Sequence, residues 1–444
     1  MTLDSHAAEA SEMRDVARQI FLHALSESSI EKAFDRHVFY EKGVLRIADD
    51  LYDISSYARV FVVSIGKAAQ SMVEALISRV GPGAGMTGIV CGPTKPAAQV
   101  FGFRYFTGGH PTPNAESVRA AESILKALQY RNARTLLIFL ISGGGSSLVE
   151  KPISETISLA DLVQTYKTLV HSGAPIGQIN AIRKHLSAVK GGRLALAGAP
   201  APQVSILVSD VPDNALDSLA SGPTMPDTST IRQCHEIVRK HELLPQFPRS
   251  VREIFENSLL QETPKQGEEA FAASRWWTVL SNASAQKAAV EKAALAGFAV
   301  EVDNSCDDWD YAEAADHLLN RIRQLRKGVS RVCLISGGEV TVTVKGKAGV
   351  GGRNQQLALY CATKIAGQNI AVLSAGTDGI DGNSHAAGAI ADGTTLARAK
   401  EKGIDLQTSL RDFNATPLFE TLNDTIVTGP TGNNVRDLRV ILAW

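Results

Sequence analysis

Residues 136–148 read LLIFLISGGGSSL: six apolar side chains in succession, then Ser142, the glycines Gly143, Gly144 and Gly145, and the hydroxyls of Ser146 and Ser147. An apolar run this short and this complete reads as a strand buried on both faces, as in a mostly parallel sheet covered by helices. The glycines let the backbone turn sharply and present several N–H groups in one direction, with the serine hydroxyls as further donors. Such a nest suits phosphate or carboxylate, and a helix starting there adds the positive end of its dipole. A tight turn without a ligand is the competing reading.

The same unit recurs on both sides. VFVVSIGKAAQSMVEAL starts at Val60, VSILVSDVPDNALDSLASGP at Val204, WTVLSNASAQKAAVEKAALAG at Trp277, VCLISGGE at Val332 and IAVLSAGTDGIDG at Ile370. Buried strands alternating with helical patterns predict a doubly wound α/β fold. In such sheets ligands bind beyond the carboxyl ends of the strands. Those ends carry Gly66-Lys67, Ser142 to Ser147, Asp210, Ser281-Asn282, Ser336 to Glu339 and Ser374 to Asp381. A chain of 444 residues exceeds what one core usually organises. Two domains are expected, 1–250 and 251–444, with the crossing in the proline- and charge-rich stretch 241–275, which reads equally as a surface helix followed by a loop. Apolar spacing over 13–35 predicts an opening helix, VTVTVKGK after Glu339 predicts a β-ribbon, and Leu438–Leu442 predicts the last strand.

Bulk composition narrows the function. With 45 basic and 46 acidic residues the net charge is -1, which excludes a polybasic nucleic-acid binder and leaves anion attraction to local sites. No stretch approaches about 18 uncharged apolar residues, so no membrane span is expected. The N-terminus is acidic and amphipathic with no apolar signal core, which predicts a cytoplasmic protein. Cys91, Cys234, Cys306, Cys333 and Cys361 form no CxxC pair and read as small buried hydrophobes, not as a disulfide framework or a zinc site.

Lys67 stands where a strand passes into a helix, a poor place for a cation unless an anion neutralises it. Arg353 follows paired glycines at a helix start, and its guanidinium fork matches phosphate oxygens; a surface salt bridge is the alternative. Asp210, Asp378 and Glu339 lie directly beyond strands, where Mg²⁺ needs only one or two carboxylates besides phosphate oxygens. Asp213 and Asp381 fit turns as readily as metal. On the basic helix NAIRKHLSAVKGGRLA, Lys184, Lys190 and Arg193 are candidates to hold an acid, and Arg183 a weaker one. Cations before a glycine cap are the plainer reading. His110, in GGHPTPN, is the most suggestive histidine. No Walker A sequence or GxSxG elbow is present, and GPGAGMTG at 81–88 follows a helix, not the strand that a dinucleotide fingerprint requires. The residues alone describe a two-domain α/β enzyme suited to phosphoryl transfer.

SIGKAA, GGHPTPNAES, LISGGGSSL, INAIRKHLSAVKGGRLA, LVSDVP…SGPT, ISGGE…GVGGRNQ, SAGTDGIDG and TGPTGNNVRDLR, in this order, resemble the glycerate 2-kinases of the MOFRL family. The resemblance implies a Rossmann-like N-terminal domain and a C-terminal α/β domain with the MOFRL region at about 328–444, the active site lying in a cleft between them. It implies ATP, Mg²⁺ and D-glycerate phosphorylated at its 2-hydroxyl, with Lys67 and Arg353 as the active-site charges. On this reading Asp210 is a base or metal ligand and Asp378 a metal ligand. Ser142 to Ser147, Lys184, Lys190, Asn282 and Glu339 bind substrate or phosphate. Ser147 replaces the alanine the family commonly has, and Asp213-Asn214 replaces its Gly-Asp. The alternatives are a hydroxypyruvate reductase using NAD(P)H and a non-catalytic sugar-acid binder. The sequence is compatible with a homodimer.

Overall fold

Thr135–Ser142, the strand within LLIFLIS, is buried at every position in the computed structural model, which describes residues 3–344 and 346–444. It lies between the parallel strands Arg59–Ile65 and Gln203–Val208. Beyond Arg59–Ile65 come Thr87–Gly92 and Phe103–Thr107, also parallel, and Ser274–Leu280 completes the six-stranded sheet at the other edge. The chain therefore winds outward from Arg59–Ile65 to one edge, then returns to start Thr135–Ser142 on its other side. The topological switch point falls between Ile65 and Ser142, where the loops diverge and leave a crevice. One face of the sheet is closed by Phe61, Val63, Phe139 and Ile141 against Ala120, Ile124 and Leu128 of helix Ala115–Leu128. Asn114 and Ser117 set the start of that helix with a capping box.

The chain divides into two compact units, one of Ile30–Val279, the other joining the segment up to Ser29 to Leu280–Trp444. The division expected at 250 thus falls at 279/280. The stretch 241–275 lies wholly within the first unit, where Val251 and Phe255 of helix Arg249–Glu256 are buried with Leu162, Tyr166 and Ile182. The opening helix is Leu3–Glu27, ending before a separate helix Ile30–His37. It belongs to the second unit because Ala17, Ile20, Phe21 and Ala24 bury against Ala288, Ala289, Leu373 and Val440. Arg14 pairs with Asp392, and the Asn433 amide donates to the Ser28 carbonyl.

The sheet of the second unit has the order Ala299–Val302, Val332–Gly337, Asp437–Ala443, Ile370–Gly376, Gly388–Asp392, Thr425–Ile426. Its first pair is parallel, but the closing strand runs antiparallel between Val332–Gly337 and Ile370–Gly376, so this sheet is mixed. That central position explains why Asp437–Ala443 is buried along its whole length. The expected β-ribbon after Glu339 does not form among the described residues. Thr341 makes only an isolated bridge to Asp310, and Lys345 lies outside the described residues. The alternation there has no neighbouring strand to pair with. All five cysteines are free and buried. No helix among the described residues is long and apolar enough to cross a membrane.

Candidate active site

At the switch point the two glycine loops are joined. Gly66 holds φ +129°, and a side chain there would put its Cβ 2.1 Å from Ser142 Oγ. The Lys67 N–H donates to the Gly143 carbonyl at 2.9 Å, and the Ala68 N–H to Ser142 Oγ at 3.1 Å. Lys67 is exposed and precedes helix Ala69–Val80, instead of lying in its first turn as the sequence suggested. Gly144 is left-handed, and a Cβ on it would meet Lys67 Cγ at 3.0 Å and His110 Cδ2 at 3.1 Å. Lys67, Gly144 and His110 therefore share one spot. Burial, then the Lys67 charge, holds His110 below the usual histidine range.

Asp210 reaches the same loop: a Cβ on Gly143 would be 1.8 Å from its Oδ2. Only glycine lets this carboxylate lie against the backbone. The helix after the glycines is a single turn, Gly145–Leu148, so the expected dipole contribution is small and the loop N–H groups and hydroxyls are what an anion would meet. Ser146 Oγ lies 2.8 Å from Ser221 Oγ, and Ser147 Oγ donates to the Gly144 carbonyl at 3.4 Å. Ala220, Ser221 and Gly222 are left-handed in succession, held by N–H bonds from Gly191 to the Ser221 carbonyl and from Gly192 to that of Gly222. Two adjacent non-glycine residues in that conformation store strain of the kind that gathers at functional sites. Composition and periodicity carry no signal for it.

The expected basic helix is broken: helix Ile176–His185 carries Arg183 and Lys184, whereas Lys190 lies beyond it and Arg193 starts the short helix Arg193–Gly198. Lys190, 1 % exposed, is paired with the fully buried Glu150, which also accepts from Tyr166 Oη and Ser187 Oγ at 2.6 Å each. Burial lowers the Lys190 pKa even beside that carboxylate. Lys184 is held at 2.9 Å by Asp227 and 3.0 Å by Asp217. Burial alone would raise the Asp227 carboxyl, but Lys184 and the hydroxyls of Ser229 and Thr263 keep it low. Arg193 donates to the Gln261 carbonyl at 2.9 Å. These three cations are used internally. Arg183 instead faces a pocket of about 410 Å³ that His110, Gly144, Ser146 and Ser147 also line. Asp213 is exposed.

In the second unit, Arg353 grips Asp437 through Nε at 2.6 Å and Nη2 at 3.1 Å, and Nη2 lies 2.8 Å from Glu339. Burial works against the charge of Arg353, but Asp437 and Glu339 hold its pKa above the ordinary value, whereas burial raises that of Glu339. Sequence reasoning missed Asp437, although TGPTGNNVRDLR contains it. Asp381 does not stand ready for metal: its carboxylate accepts the N–H groups of Asn354 at 3.1 Å and Gln355 at 2.9 Å, filling the N-terminus of helix Arg353–Lys364. Asn282, expected to bind phosphate, spends its amide on the carbonyls of Val435 and Asp437 at 2.7 and 2.9 Å, a structural task. Asp378 is half-buried and accepts the Ile380 N–H at 3.2 Å. Among the described residues no group of three or more His, Cys, Asp or Glu could hold a metal ion. Mg²⁺ requires fewer protein ligands than that: Asp210 against the glycine loop fits it as a single carboxylate, and so does Asp378.

The chain's sequence matches a domain of unknown function (DUF4147) over residues 16–256 and the MOFRL family over 332–437. It is 33% identical to the glycerate 2-kinase of Pyrococcus horikoshii, covering 86% of this chain and 87% of that one. It is 35% identical to the D-glycerate 2-kinase of Thermotoga maritima, covering 86% and 89%. Proteins of Agrobacterium vitis with 35% identity carry only a provisional hydroxypyruvate reductase name. The crystal structure of glycerate kinase from Thermotoga maritima superposes with a TM-score of 0.85 at 31% identity, over 98% of this chain and 100% of that one. By matched domains, relatives and fold together, this chain belongs to the glycerate 2-kinase family of DUF4147 and MOFRL domains.

Proposed function

We propose that this protein transfers the γ-phosphoryl group of ATP to the 2-hydroxyl of D-glycerate, giving 2-phosphoglycerate and ADP. The carrying observation is the Lys67–Gly143 hydrogen bond at the switch point, which joins two strand-end loops and gathers Lys67, the SGGGSS loop and Asp210. The hydroxyl oxygen attacks the γ-phosphorus, a new O–P bond forms as the bond to the ADP oxygen breaks, and the hydroxyl proton leaves. Lys67 and the loop N–H groups offset phosphate charge. Asp210 is the carboxylate at that spot, assigned the hydroxyl proton and a share in holding Mg²⁺. In the second unit Arg353 is assigned charge compensation, and Asp378 is the carboxylate there that would hold a cation. When bound, Mg²⁺ would supply positive charge toward the phosphate oxygens.

The test is an ADP-release assay with D-glycerate and Mg-ATP, with the product identified by phosphorus NMR. ATP-dependent 2-phosphoglycerate formation is expected. Oxidation of NADH or NADPH by hydroxypyruvate with no phosphoryl transfer would replace the kinase reading by the reductase one, and saturable glycerate binding without turnover would replace it by a binding role.

A further inference from the structure

Arg183 is set apart from the other cations of its helix. Its guanidinium lies 4.9 Å over the Tyr166 ring, which fixes its plane. Its Nε is buried with no hydrogen-bond partner, and among the described residues Arg183 forms no ion pair. Glu150, the acidic side chain whose charge it feels, is already held by Lys190 and Tyr166. A largely buried guanidinium that lacks a counter-anion costs free energy unless something else supplies one. The pocket it faces is lined by the hydroxyls of Ser146 and Ser147, the imidazole of His110 and the side chain of Lys167, with Val163 and Val170 as an apolar wall. Hydroxyls, a forked cation and a short apolar wall suit a small hydroxy acid better than a nucleotide base.

We propose that Arg183 binds the carboxylate of the hydroxy-acid substrate in this pocket, with the Tyr166 ring orienting the guanidinium. The assignment rests on the kinase reading for the identity of the acid. The fork of Arg183 would meet both oxygens of a planar carboxylate, which lysine cannot do. The carboxylate end would then lie against Arg183, leaving Lys67, beside Gly144 and His110, to the phosphoryl group.

The experiment measures glycerate and ATP kinetics for wild type, R183K and R183Q, together with calorimetric binding of D-glycerate and, separately, inorganic phosphate without nucleotide. Both variants should raise the KM for glycerate roughly 10- to 100-fold with the KM for ATP little changed, and weaken glycerate binding by a similar factor. R183K keeps the charge and the fold, so its loss reports the fork. An unchanged KM and affinity for glycerate in both variants overturns the proposal. So does a rise confined to the KM for ATP or weakened phosphate binding alone, which would make Arg183 a phosphate ligand. If wild type forms no product with ATP, the kinase reading fails; glycerate binding that still depends on Arg183 would leave the carboxylate site standing.

Discussion

The backbone N–H of Lys67 donates to the carbonyl of Gly143 at 2.9 Å. This bond couples the carboxyl ends of two adjacent parallel strands, Arg59–Ile65 and Thr135–Ser142, at the point where the winding of the sheet reverses. Lys67 is exposed, forms no ion pair among the described residues, and its Cγ borders the space beside Gly144 that His110 also borders.

Gly143→Ala tests the contact with Asp210. The added Cβ would fall 1.8 Å from Asp210 Oδ2, so the carboxylate must move while the rest of the loop keeps its hydrogen bonds. Turnover with D-glycerate is expected to fall roughly 100-fold, the scale of losing one positioned polar group. The thermal midpoint should change by only a few degrees. Near-normal turnover would remove Asp210 from the mechanism.

Lys67→Ala and Arg353→Ala differ in what they leave behind. Lys67 is exposed, so its removal should leave stability within about 0.5 kcal/mol of wild type while turnover falls by several orders of magnitude. Arg353 neutralises Asp437, which is 1 % exposed, so Arg353→Ala leaves that buried carboxylate with Arg439, 3.9 Å away, as its remaining cation. Arg353 itself is 36 % exposed, and water moderates the cost to about 1–3 kcal/mol. Arg353→Lys is the cleaner probe of charge in catalysis. Equal thermal midpoints for the two alanine variants would contradict this distinction.

The legible part of this molecule was the part governed by local pattern. Runs such as Leu136–Ile141 announce strands buried on both faces, and the glycines after them announce close backbone approach, because both depend on neighbours in sequence. Thr87–Gly92 and Phe103–Thr107 lacked so clear a run, and were missed. The division between units was misplaced because Val251 and Phe255 bury with Leu162, Tyr166 and Ile182, and the opening helix joins the other unit because Ile20 and Phe21 find their core among residues 288–440; no local composition records such long-range returns. The cations of the expected basic helix showed the same limit. Lys184, Lys190 and Arg183 look alike in a motif, and only their surroundings tell them apart: among the described residues Lys184 pairs with Asp227, Lys190 with Glu150, and Arg183 forms no ion pair and lies over Tyr166.

Lys190→Met separates a structural lysine from a substrate-binding one. Removing the ammonium leaves Glu150 buried and charged, which costs about 3–5 kcal/mol. Thermal unfolding should shift down by several degrees, while protein that remains folded keeps its KM for glycerate. Adding Glu150→Gln should restore much of the midpoint, because the uncompensated charge is gone. A KM raised by an order of magnitude with an unshifted midpoint would return Lys190 to the substrate site.

Asp381 carries a pH signature of opposite sign to most carboxylates. Burial pushes its pKa up to about 6, and the N–H groups of Gln355 and Asn354 offset only part of that. A carboxyl whose folded pKa lies above the unfolded value binds its proton more tightly when folded. The stability it contributes is complete below about pH 4 and is lost as pH rises through about 6. Asp381→Asn removes the ionisation and, because Asn354 and Gln355 donate to different oxygens of Asp381, also gives up one of the two acceptors, a cost that does not vary with pH. The variant's thermal midpoint relative to wild type, measured by calorimetry at intervals from pH 4 to 7.5, should therefore rise with pH and level off above about pH 6.5. The difference between variant and wild type isolates Asp381 from the acid denaturation to which other carboxylates contribute. A difference that instead grew toward low pH would mean that the helix N-terminus holds Asp381 ionised more strongly than burial opposes it, the behaviour of an anion seat and not of a buried cap.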